Sequence, residues 1–246
     1  MRAVLPSPAP SVDLHAFYGE GWLQQGGLRV NFVSAVDGAA QADGLSRGLQ
    51  TPGDNAVFAA LRDLADVVLV GSGTALAERY RAVHPRDERL ATRRAYGLPE
   101  TLPVAVMSRS LRLDPAAGLF TEADPRARTI VLTCAAAPAE RRAALAQVAD
   151  LVECGEVDVD PSLARAALVE RGHRRILSEG GPTVFARMVQ AGAVDELCLS
   201  VSPLLMGPGA ARITDGPAPW AEAATLTLAG LLEEDSALFL RYRVGD

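Results

Sequence analysis

The chain has 246 residues, of which 49% are hydrophobic and 22% charged, and its formal net charge is −6. This composition is typical of a globular protein with a substantial core, and it excludes an intrinsically disordered chain. The acidic balance argues against nucleic acid as the main partner, because phosphate backbones are bound by basic surfaces. We also expect no membrane partner, since no apolar run approaches membrane-spanning length and the N-terminus lacks a signal peptide.

Several enzyme classes require residues that this chain lacks or scatters. All 24 basic residues are arginine, which excludes a Schiff-base lysine, attached pyridoxal phosphate and the P-loop lysine. The three histidines are isolated, so we expect no metal site. Cys134, Cys154 and Cys198 form no CxxC pair and are expected to be core residues in a reducing compartment, which predicts a cytoplasmic protein.

The predicted elements begin after an irregular lead, residues 1–27, that is punctuated by proline and glycine. "LRVNFVSAV" predicts a first buried strand, and "TPGDNAVFAALRDLA" predicts a helix with Thr51 as N-cap and Pro52 in its first turn. Short apolar runs without alternation predict strands covered on both faces: "DVVLV", "PVAVMS", "RTIVLT", "DLVECG", "RRILS" and "VDELCLSVSP". Helical spacing predicts three further helices: "AERRAALAQVA", "DPSLARAALVERG" and "GPTVFARMVQAG".

Two regions complete the prediction of the fold. The charged, aperiodic segment "LAERYRAVHPRDERLATRRAYGLPE" predicts a long loop with room for a short helix, and "ATLTLAGLLEEDSALFLRYRV" predicts an antiparallel hairpin at the sheet edge. Because strands alternate with helices, we predict an α/β fold with a mostly parallel, mixed central sheet flanked by helices. Without a repeat or linker, residues 1–246 are predicted to form one domain.

Two glycine turns follow predicted strands, at the sheet edge where such folds bind ligands. The first is Gly71-Ser72-Gly73-Thr74, which as an isolated pattern is more typical of a tight turn capped by the threonine. The second is the start of the helix after "RRILS", where glycines remove side chains and backbone N–H groups favour an anion: Gly180, Gly181, Pro182, Thr183 and Val184. Glu179 precedes it, and a carboxylate there suits a substrate group that needs a hydrogen-bond acceptor or a proton.

Three weaker patterns remain open at this stage. Asp37 and Gly38 predict a turn, and "GLSRG" matches the G-x-S-x-G pattern of serine hydrolases with Ser46 as nucleophile, although the expected strand and helix do not flank it. Ser108 and Arg109 follow a strand, where they could bind a phosphate or form a solvated polar turn.

Together these segments resemble the reductase domain of riboflavin biosynthesis, a family with a dihydrofolate-reductase-like fold. The resemblance runs from about Arg29 to Val244 and is carried, in order, by "SAVDGAAQADGLS", "ALRDLADVVLVGSGTALAE", "VMSRS" and "ILSEGGPTVFARMVQAGAVDELCLSVSPLLMGPG". It implies an NADPH-dependent enzyme that reduces the ribosyl side chain of a 5-amino-6-(5-phosphoribosylamino)uracil-type pyrimidine. It also implies a homodimer, to which the apolar run "DELCLSVSPLLMG" could contribute a contact.

The resemblance also implies roles for individual residues. Thr74 and Glu78 match cofactor contacts, Ser108 matches a position near the adenosine end, and residues 181–187 match the segment that wraps the pyrophosphate. On physical grounds, we then expect the neighbouring Arg109 to bind the 2′-phosphate of NADPH. The complete set of predicted cofactor-binding residues is Gly71, Ser72, Gly73, Thr74, Glu78, Ser108, Arg109, Gly180, Gly181, Pro182, Thr183 and Val184. Ser46, Arg62 and Glu179 match substrate-binding positions.

The implied chemistry is direct hydride transfer to C1 of the ring-opened sugar, without a covalent intermediate or a metal. The predicted catalytic residues are Glu179, which alone or through a bound water would supply the proton, and Asp37 as a weaker candidate.

Two departures from the family pattern leave the substrate open. "ALAERYRAV" replaces an aspartate-proline segment near the substrate's 5′-phosphate, so Arg79 and Arg81 are candidates for that contact, and Gly48 or Arg47 replaces an aromatic residue near the nicotinamide. A related NADPH reductase acting on a pterin such as dihydrofolate is therefore an alternative. A non-catalytic nucleotide-binding protein and a serine hydrolase using Ser46 are more distant ones.

Overall fold

The computed structural model describes residues 1–85, 87–216 and 220–245, without the side chain of Glu88. In these residues ten strands form one sheet: β1 (Arg2–Leu5), β2 (Gly27–Ala35), β3 (Val67–Gly71), β4 (Val104–Met107), β5 (Ile130–Thr133), β6 (Asp150–Glu153), β7 (Arg175–Ser178), β8 (Glu196–Ser202), β9 (Leu226–Glu234) and β10 (Ala237–Val244). The helices are α1 (Leu14–Gly19), α2 (Trp22–Gln25), α3 (Pro52–Asp63), α4 (Ser72–Ala77), α5 (Asp87–Ala95), α6 (Gly118–Thr121), α7 (Ala139–Ala146), α8 (Pro161–Glu170) and α9 (Pro182–Gln190), with a 3-10 turn at Ser46–Leu49.

The strand order is β1-β9-β10-β8-β2-β7-β3-β4-β5-β6. Strands β8, β2, β7, β3, β4, β5 and β6 pair in parallel, whereas β1, β9 and β10 add antiparallel pairs at one side. The predicted α/β class, the mostly parallel mixed sheet and the C-terminal hairpin are therefore confirmed.

The central strands are apolar throughout because both faces of the sheet are covered. In β3, Val68 and Val70 belong to one hydrophobic core, while Val67 and Leu69 belong to the core on the opposite face. All four side chains are fully buried, as expected for a parallel strand between two helix layers.

The start of α3 is fixed by local sequence. Thr51 Oγ1 accepts a hydrogen bond from the Asp54 amide at 3.1 Å, and Pro52 occupies the first helical position. Such a cap stabilises a helix by about 1 kcal/mol, and the predicted N-cap is confirmed. Asp54, whose amide makes this hydrogen bond, is buried in the first turn of α3.

Two local predictions were wrong, and a third was confirmed. The lead 1–27 is not irregular, since it forms β1, α1 and α2, and β1 pairs with β9, so the C-terminal hairpin is not the sheet edge. The segment after β3 is not a simple turn, because α4 begins at Ser72. The charged middle contains the short helix for which the prediction left room, α5. Within it, the buried guanidinium of Arg93 donates to five backbone carbonyls: those of Arg62, Asp63, Ala65, Pro99 and Thr101.

Candidate active-site cleft

A cleft of about 880 Å³ opens beyond the carboxyl ends of β3, β4 and β7, the position at which ligands bind in open α/β sheets. It brings together thirteen of the residues predicted from sequence: Ser46, Gly71, Ser72, Gly73, Thr74, Glu78, Ser108, Arg109, Glu179, Gly181, Pro182, Thr183 and Val184. Residues from distant parts of the chain therefore share one concave surface.

Three predicted site residues do not line the cleft. Gly180 lies behind it, with a positive φ of 91° and no room for a Cβ beside Phe32. Arg62 reaches the site only through its contact with Glu179. Asp37 is exposed and holds a loop instead, because its Oδ2 accepts from the amides of Met206 and Gly207 at 2.7 and 2.8 Å.

The choice of Asp37 as a catalytic acid is therefore corrected. Hydrogen bonds from the amide of Gly207 and its neighbours lower the pKa of Asp37, which disfavours the protonated form that a donor would need. Asp37 also does not line the cleft.

The two glycine turns contact each other directly. The Gly71 amide donates to the Gly180 carbonyl at 2.8 Å, and the Gly180–Gly181 peptide is cis. A Cβ on Gly71 would lie 2.7 Å from Val184 Cγ2, and one on Gly181 would collide with the Thr74 hydroxyl. Glycine is thus required where the loops after β3 and β7 meet at the cleft floor.

The start of α9 faces this junction. Gly181 is the N-cap residue and has no side chain to cap the helix, so the first N–H groups of α9 need other partners. A helix N-terminus of this kind favours an anion by about 0.3–1 kcal/mol at an exposed site. Because residues Gly181 to Val184 line the cleft, the anion would be one that enters it.

Glu179 is the acidic group at the centre of the site. Arg62 Nε donates to its Oε1 at 2.6 Å, and Arg62 Nη2 and the Tyr80 hydroxyl donate to Oε2 at 2.7 and 2.6 Å. Its side chain is only 2% exposed. The guanidinium of Arg62 also lies 4.3 Å from the centre of the Phe58 ring, so both partners of the ion pair are held in place.

Tyr80 was missed by the sequence reasoning, which treated its segment as a loop. Burial, followed by the neighbouring Glu179 carboxylate, raises the pKa of Tyr80 well above its usual value, so the phenol stays protonated as a donor. Burial opposes the charge on Arg62, but the Glu179 carboxylate outweighs it and raises the pKa of the guanidinium. The only feature of the sequence that could have indicated Tyr80 as a site residue is the occurrence of a tyrosine in an otherwise charged segment.

Ser46 is held by Glu78 rather than activated by a base. Its amide and its hydroxyl each donate to Glu78 Oε1 at 2.9 Å, and no histidine is among the described residues that line the cleft. The serine also begins a short 3-10 turn instead of following a strand. The hydrolase alternative therefore lacks both the base and the backbone setting that it requires.

Arginines surround the far end of the cleft. Arg109 lines the cleft and also a neighbouring recess of about 590 Å³ that includes Arg112 and Arg141. Buried Ser108 shapes this end, because its Oγ accepts from the Leu111 amide at 3.1 Å. Arg187 lines the cleft wall while its Nη2 donates to the Val159 carbonyl at 2.5 Å.

The other arginines considered for phosphate contact lie elsewhere. Arg79 and Arg81 line a separate recess beside Glu122, with which Arg81 forms an exposed ion pair. Arg47 is exposed and does not line the cleft. The neighbouring Gly48 packs against Ala42, whose Cβ would be 2.7 Å from an added Cβ. None of these arginines lines the cleft.

Two further polar residues of the cleft were also missed. Asn31 Oδ1 and Asp54 Oδ1 are buried without a hydrogen-bond partner among the described residues, although both residues line the cleft. Burial raises the pKa of Asp54, while a hydrogen bond with the Ser200 side chain opposes the shift. An unpaired buried acceptor costs about 1–3 kcal/mol. Sequence gave no signal, since an aspartate in the first helical turn is ordinary.

Neither a metal-binding cluster nor a membrane-spanning helix is found among the described residues. Over residues 1–85, 87–216 and 220–245, no group of three or more His, Cys, Asp or Glu side chains is arranged to hold a metal ion. In the same part of the chain, no helix combines the length and apolarity needed to cross a bilayer.

Comparison with known proteins places these features in a family. The "RibD C-terminal domain" family matches residues 27–237. The "2,5-diamino-6-ribosylamino-4(3H)-pyrimidinone 5′-phosphate reductase" of Methanothermobacter thermautotrophicus is 32% identical over 63% of this chain and 68% of its own length. Mycobacterium tuberculosis "Riboflavin biosynthesis protein RibD" is 26% identical over 75% of this chain and 44% of its own.

A solved structure shows the same fold. It is a "pyrimidine reductase-like protein" from Corynebacterium diphtheriae, with a TM-score of 0.85, 24% identity, and coverage of 96% of this chain and 100% of the other. The family match covers most of the residues from β2 to β10 and includes every part of the cleft described above. The chain therefore belongs to the RibD C-terminal domain family.

Proposed function

We propose that the protein is an NADPH-dependent reductase of riboflavin biosynthesis, which reduces the ribosyl side chain of a phosphoribosylaminopyrimidine. The observation that carries this proposal is the single cleft, in which an anion-favouring helix start, an arginine-rich end and the buried Glu179 carboxylate meet. The names of the related archaeal reductases support the substrate class.

The cleft fits a nicotinamide dinucleotide. Gly73 lines the cleft, and a Cβ on it would meet nothing within 4 Å, so the cleft is open at this position. The pyrophosphate would lie at the start of α9, where Gly181 to Val184 line the same cleft. Arg109 and the adjacent Arg112 and Arg141 then supply cations for a 2′-phosphate, which favours NADPH over NADH.

When bound, the reduced nicotinamide supplies a hydride to C1 of the ring-opened sugar. The chain's own contribution is to align the two reactants and exclude water, which can lower a barrier by roughly 7–11 kcal/mol. Glu179 orients a bound water and does not itself donate the proton, because each of its oxygens already accepts a hydrogen bond from Arg62 or Tyr80. The proton then comes from a water that Glu179 holds.

A second candidate substrate is a pterin such as dihydrofolate. It is favoured by one observation: the only arginines among the described cleft-lining residues are Arg109 and Arg187, both assigned above to the cofactor side. A substrate without a 5′-phosphate would need no further cation. Reduction rates with the 5′-phosphorylated and dephosphorylated pyrimidine, and with dihydrofolate, separate the two candidates.

The proposal is tested first by thermal unfolding with NADPH, NADH and no nucleotide. At one hundred times its dissociation constant a ligand stabilises by about 2.7 kcal/mol, which for a chain of this size raises Tm by roughly 5–11 °C. Equal melting curves would contradict the cofactor assignment. Loss of NADPH absorbance upon addition of pyrimidine then separates an enzyme from a non-catalytic binder.

We propose in addition that the protein is a cytoplasmic homodimer. Cys134, Cys154 and Cys198 are free and buried, which suits a reducing compartment. After β8, the exposed apolar side chains Leu205 and Met206 suit a subunit contact. Light scattering of the purified protein measures its mass in solution directly, and a monomeric mass would contradict the proposed homodimer.

A further inference from the structure

Two loops form one wall of the cleft. They are residues 36–46, after β2, and residues 204–215, after β8, and together they are called the loop wall below. The residues of the loop wall that line the cleft are Ala40, Gln41, Gly44, Ser46, Ala211 and Asp215. At one end Ser46 donates to Glu78, the C-cap residue of α4, and at the other end the Asp215 amide donates to the Pro182 carbonyl, at the start of α9, at 3.4 Å. The loop wall therefore connects the helices that follow the two glycine turns.

Main-chain hydrogen bonds join the two loops at two separate points. The Val36 amide donates to the Leu204 carbonyl at 3.0 Å, and the Ala40 amide donates to the Ala211 carbonyl at 2.7 Å. Beyond the second point, Ile213 packs against the hydrophobic core of the sheet. Between the two points, residues 205–209 are exposed, and a segment with few buried contacts opens easily. The position of this middle stretch therefore depends on polar contacts.

Asp37 makes the polar contact that the middle stretch needs. Its Oδ2 accepts from two consecutive amides, those of Met206 and Gly207, at 2.7 and 2.8 Å. Hydrogen bonds to an ionised acceptor are roughly twice as strong as those between neutral groups. Gly207 has a φ of 80°, a left-handed conformation that glycine adopts without strain. One carboxylate oxygen thus fixes the exposed turn of the second loop, although Asp37 itself does not line the cleft.

We propose that Asp37 is a positioning residue for the proposed reduction, because it holds the loop after β8 and so keeps the loop wall closed beside bound NADPH and substrate. The inference rests on the proposed function and adds a residue that acts without touching either reactant. One end of the loop wall lies at the start of α9, where the pyrophosphate would lie, and the rest lines the same cleft. An open wall would admit water and loosen both ligands.

The first test compares kcat/KM for NADPH oxidation with the pyrimidine in the wild type and two variants. Asp37→Ala removes the acceptor and should lower kcat/KM by about tenfold or more, mainly by raising KM for both NADPH and the pyrimidine. Asp37→Asn keeps one oxygen that can accept from both amides, so its kcat/KM should stay within about threefold of the wild type. If Asp37 acted by donating a proton, Asp37→Asn would be as inactive as Asp37→Ala, and the inference would be wrong.

The second test follows the loop itself and needs no substrate. The chain has no lysine, so trypsin cleaves it only after arginine, and Arg212 is an exposed residue of the loop after β8. Cleavage there should be about fivefold faster or more in Asp37→Ala than in the wild type, because the loop opens more often. NADPH should slow this cleavage in the wild type. Gly207→Ala leaves Asp37 in place but strains the turn, so it should also speed the cleavage.

Asp13→Ala is the matched control. Asp13 is exposed and caps α1, where its Oδ1 also accepts from two amides, those of His15 and Ala16, at 2.9 and 3.1 Å. It does not line the cleft. Urea unfolding of Asp13→Ala should show a loss of stability similar to that of Asp37→Ala, while kcat/KM and cleavage at Arg212 stay as in the wild type. An equal loss of kcat/KM in both variants would assign the effect to stability and overturn the inference.

Two further results separate this inference from the proposed function. If NADPH raises Tm but Asp37→Ala keeps the kinetics and the cleavage rate of the wild type, the inference fails and the reductase assignment stands. If the wild type neither binds nor oxidises NADPH, the proposed function fails. The cleavage rates of Asp37→Ala and Gly207→Ala then still decide whether Asp37 holds the loop.

Discussion

Replacing Glu179 by glutamine tests the central ion pair of the cleft. The carboxylate is 2% exposed, and Arg62, with 18% of its side chain exposed, contacts it through two nitrogens at 2.6 and 2.7 Å. The variant keeps the shape of the side chain but leaves a largely buried guanidinium without its counter-charge. Breaking one side of a buried pair typically destabilises by about 3–5 kcal/mol.

For a chain of this length such a loss lowers Tm by roughly 6–20 °C. Glutamine can accept one hydrogen bond from Arg62 or Tyr80, so we expect the lower half of this range. Urea unfolding measures the free energy directly, and NADPH oxidation with the pyrimidine measures function. We expect kcat/KM to fall at least tenfold, because the group that orients water and substrate is lost.

Glu122→Gln is the control for this variant. Glu122 pairs with Arg81 on the surface, where the two side chains are 36% and 72% exposed, so water and salt screen the pair and its loss should scarcely change Tm. A double variant with Arg62→Met should recover part of the stability lost in Glu179→Gln. If Glu179→Gln melts within 2 °C of the wild type, roughly 1 kcal/mol or less, the ion pair does not organise the cleft as argued.

Three further predictions concern other parts of the chain. Arg93→Ala should lower the free energy of unfolding in urea by about 3 kcal/mol or more, because the carbonyls that accept from its buried guanidinium lose their donor. Arg94→Ala, at an exposed position, should leave the free energy of unfolding nearly unchanged. Equal effects of the two variants would contradict the role of burial. Ser46→Ala should retain measurable NADPH oxidation, and the wild type should resist labelling by a fluorophosphonate. Labelling at Ser46 would instead support the serine hydrolase alternative. Burial raises the pKa of Cys154 to about 11 and of Cys198 to about 12, so at pH 8 both stay thiols. A disulfide reagent should therefore modify them only after unfolding. Rapid modification of the folded protein would refute this prediction.

Much of the fold follows from local sequence. Apolar runs such as 67–70 lack alternation because both faces of β3 are covered, and this property is encoded in the strand itself. The cap at Thr51 and the glycine turn at Gly180–Gly181 are similarly local. The glycine turn identified one end of the cleft before any contact between distant residues was known.

The tertiary structure decided which residues meet. Tyr80 and Arg62 reach Glu179 from positions 99 and 117 residues away in sequence, and β1 pairs with β9 across almost the whole chain. Periodicity reports how a segment is buried, but not which partner it faces. That choice depends on strand order and on the packing of helices over the sheet.

The sequence by itself thus determined the α/β class, the glycine turns and the family resemblance, because these depend on short-range conformation and on patterns of burial. Only the tertiary structure removed Asp37 from the site, bound Ser46 to Glu78 and left Asp54 buried with an unpaired oxygen. The physical reason is that a polar side chain acquires its chemistry from its neighbours, and those neighbours come from elements that are adjacent only after folding.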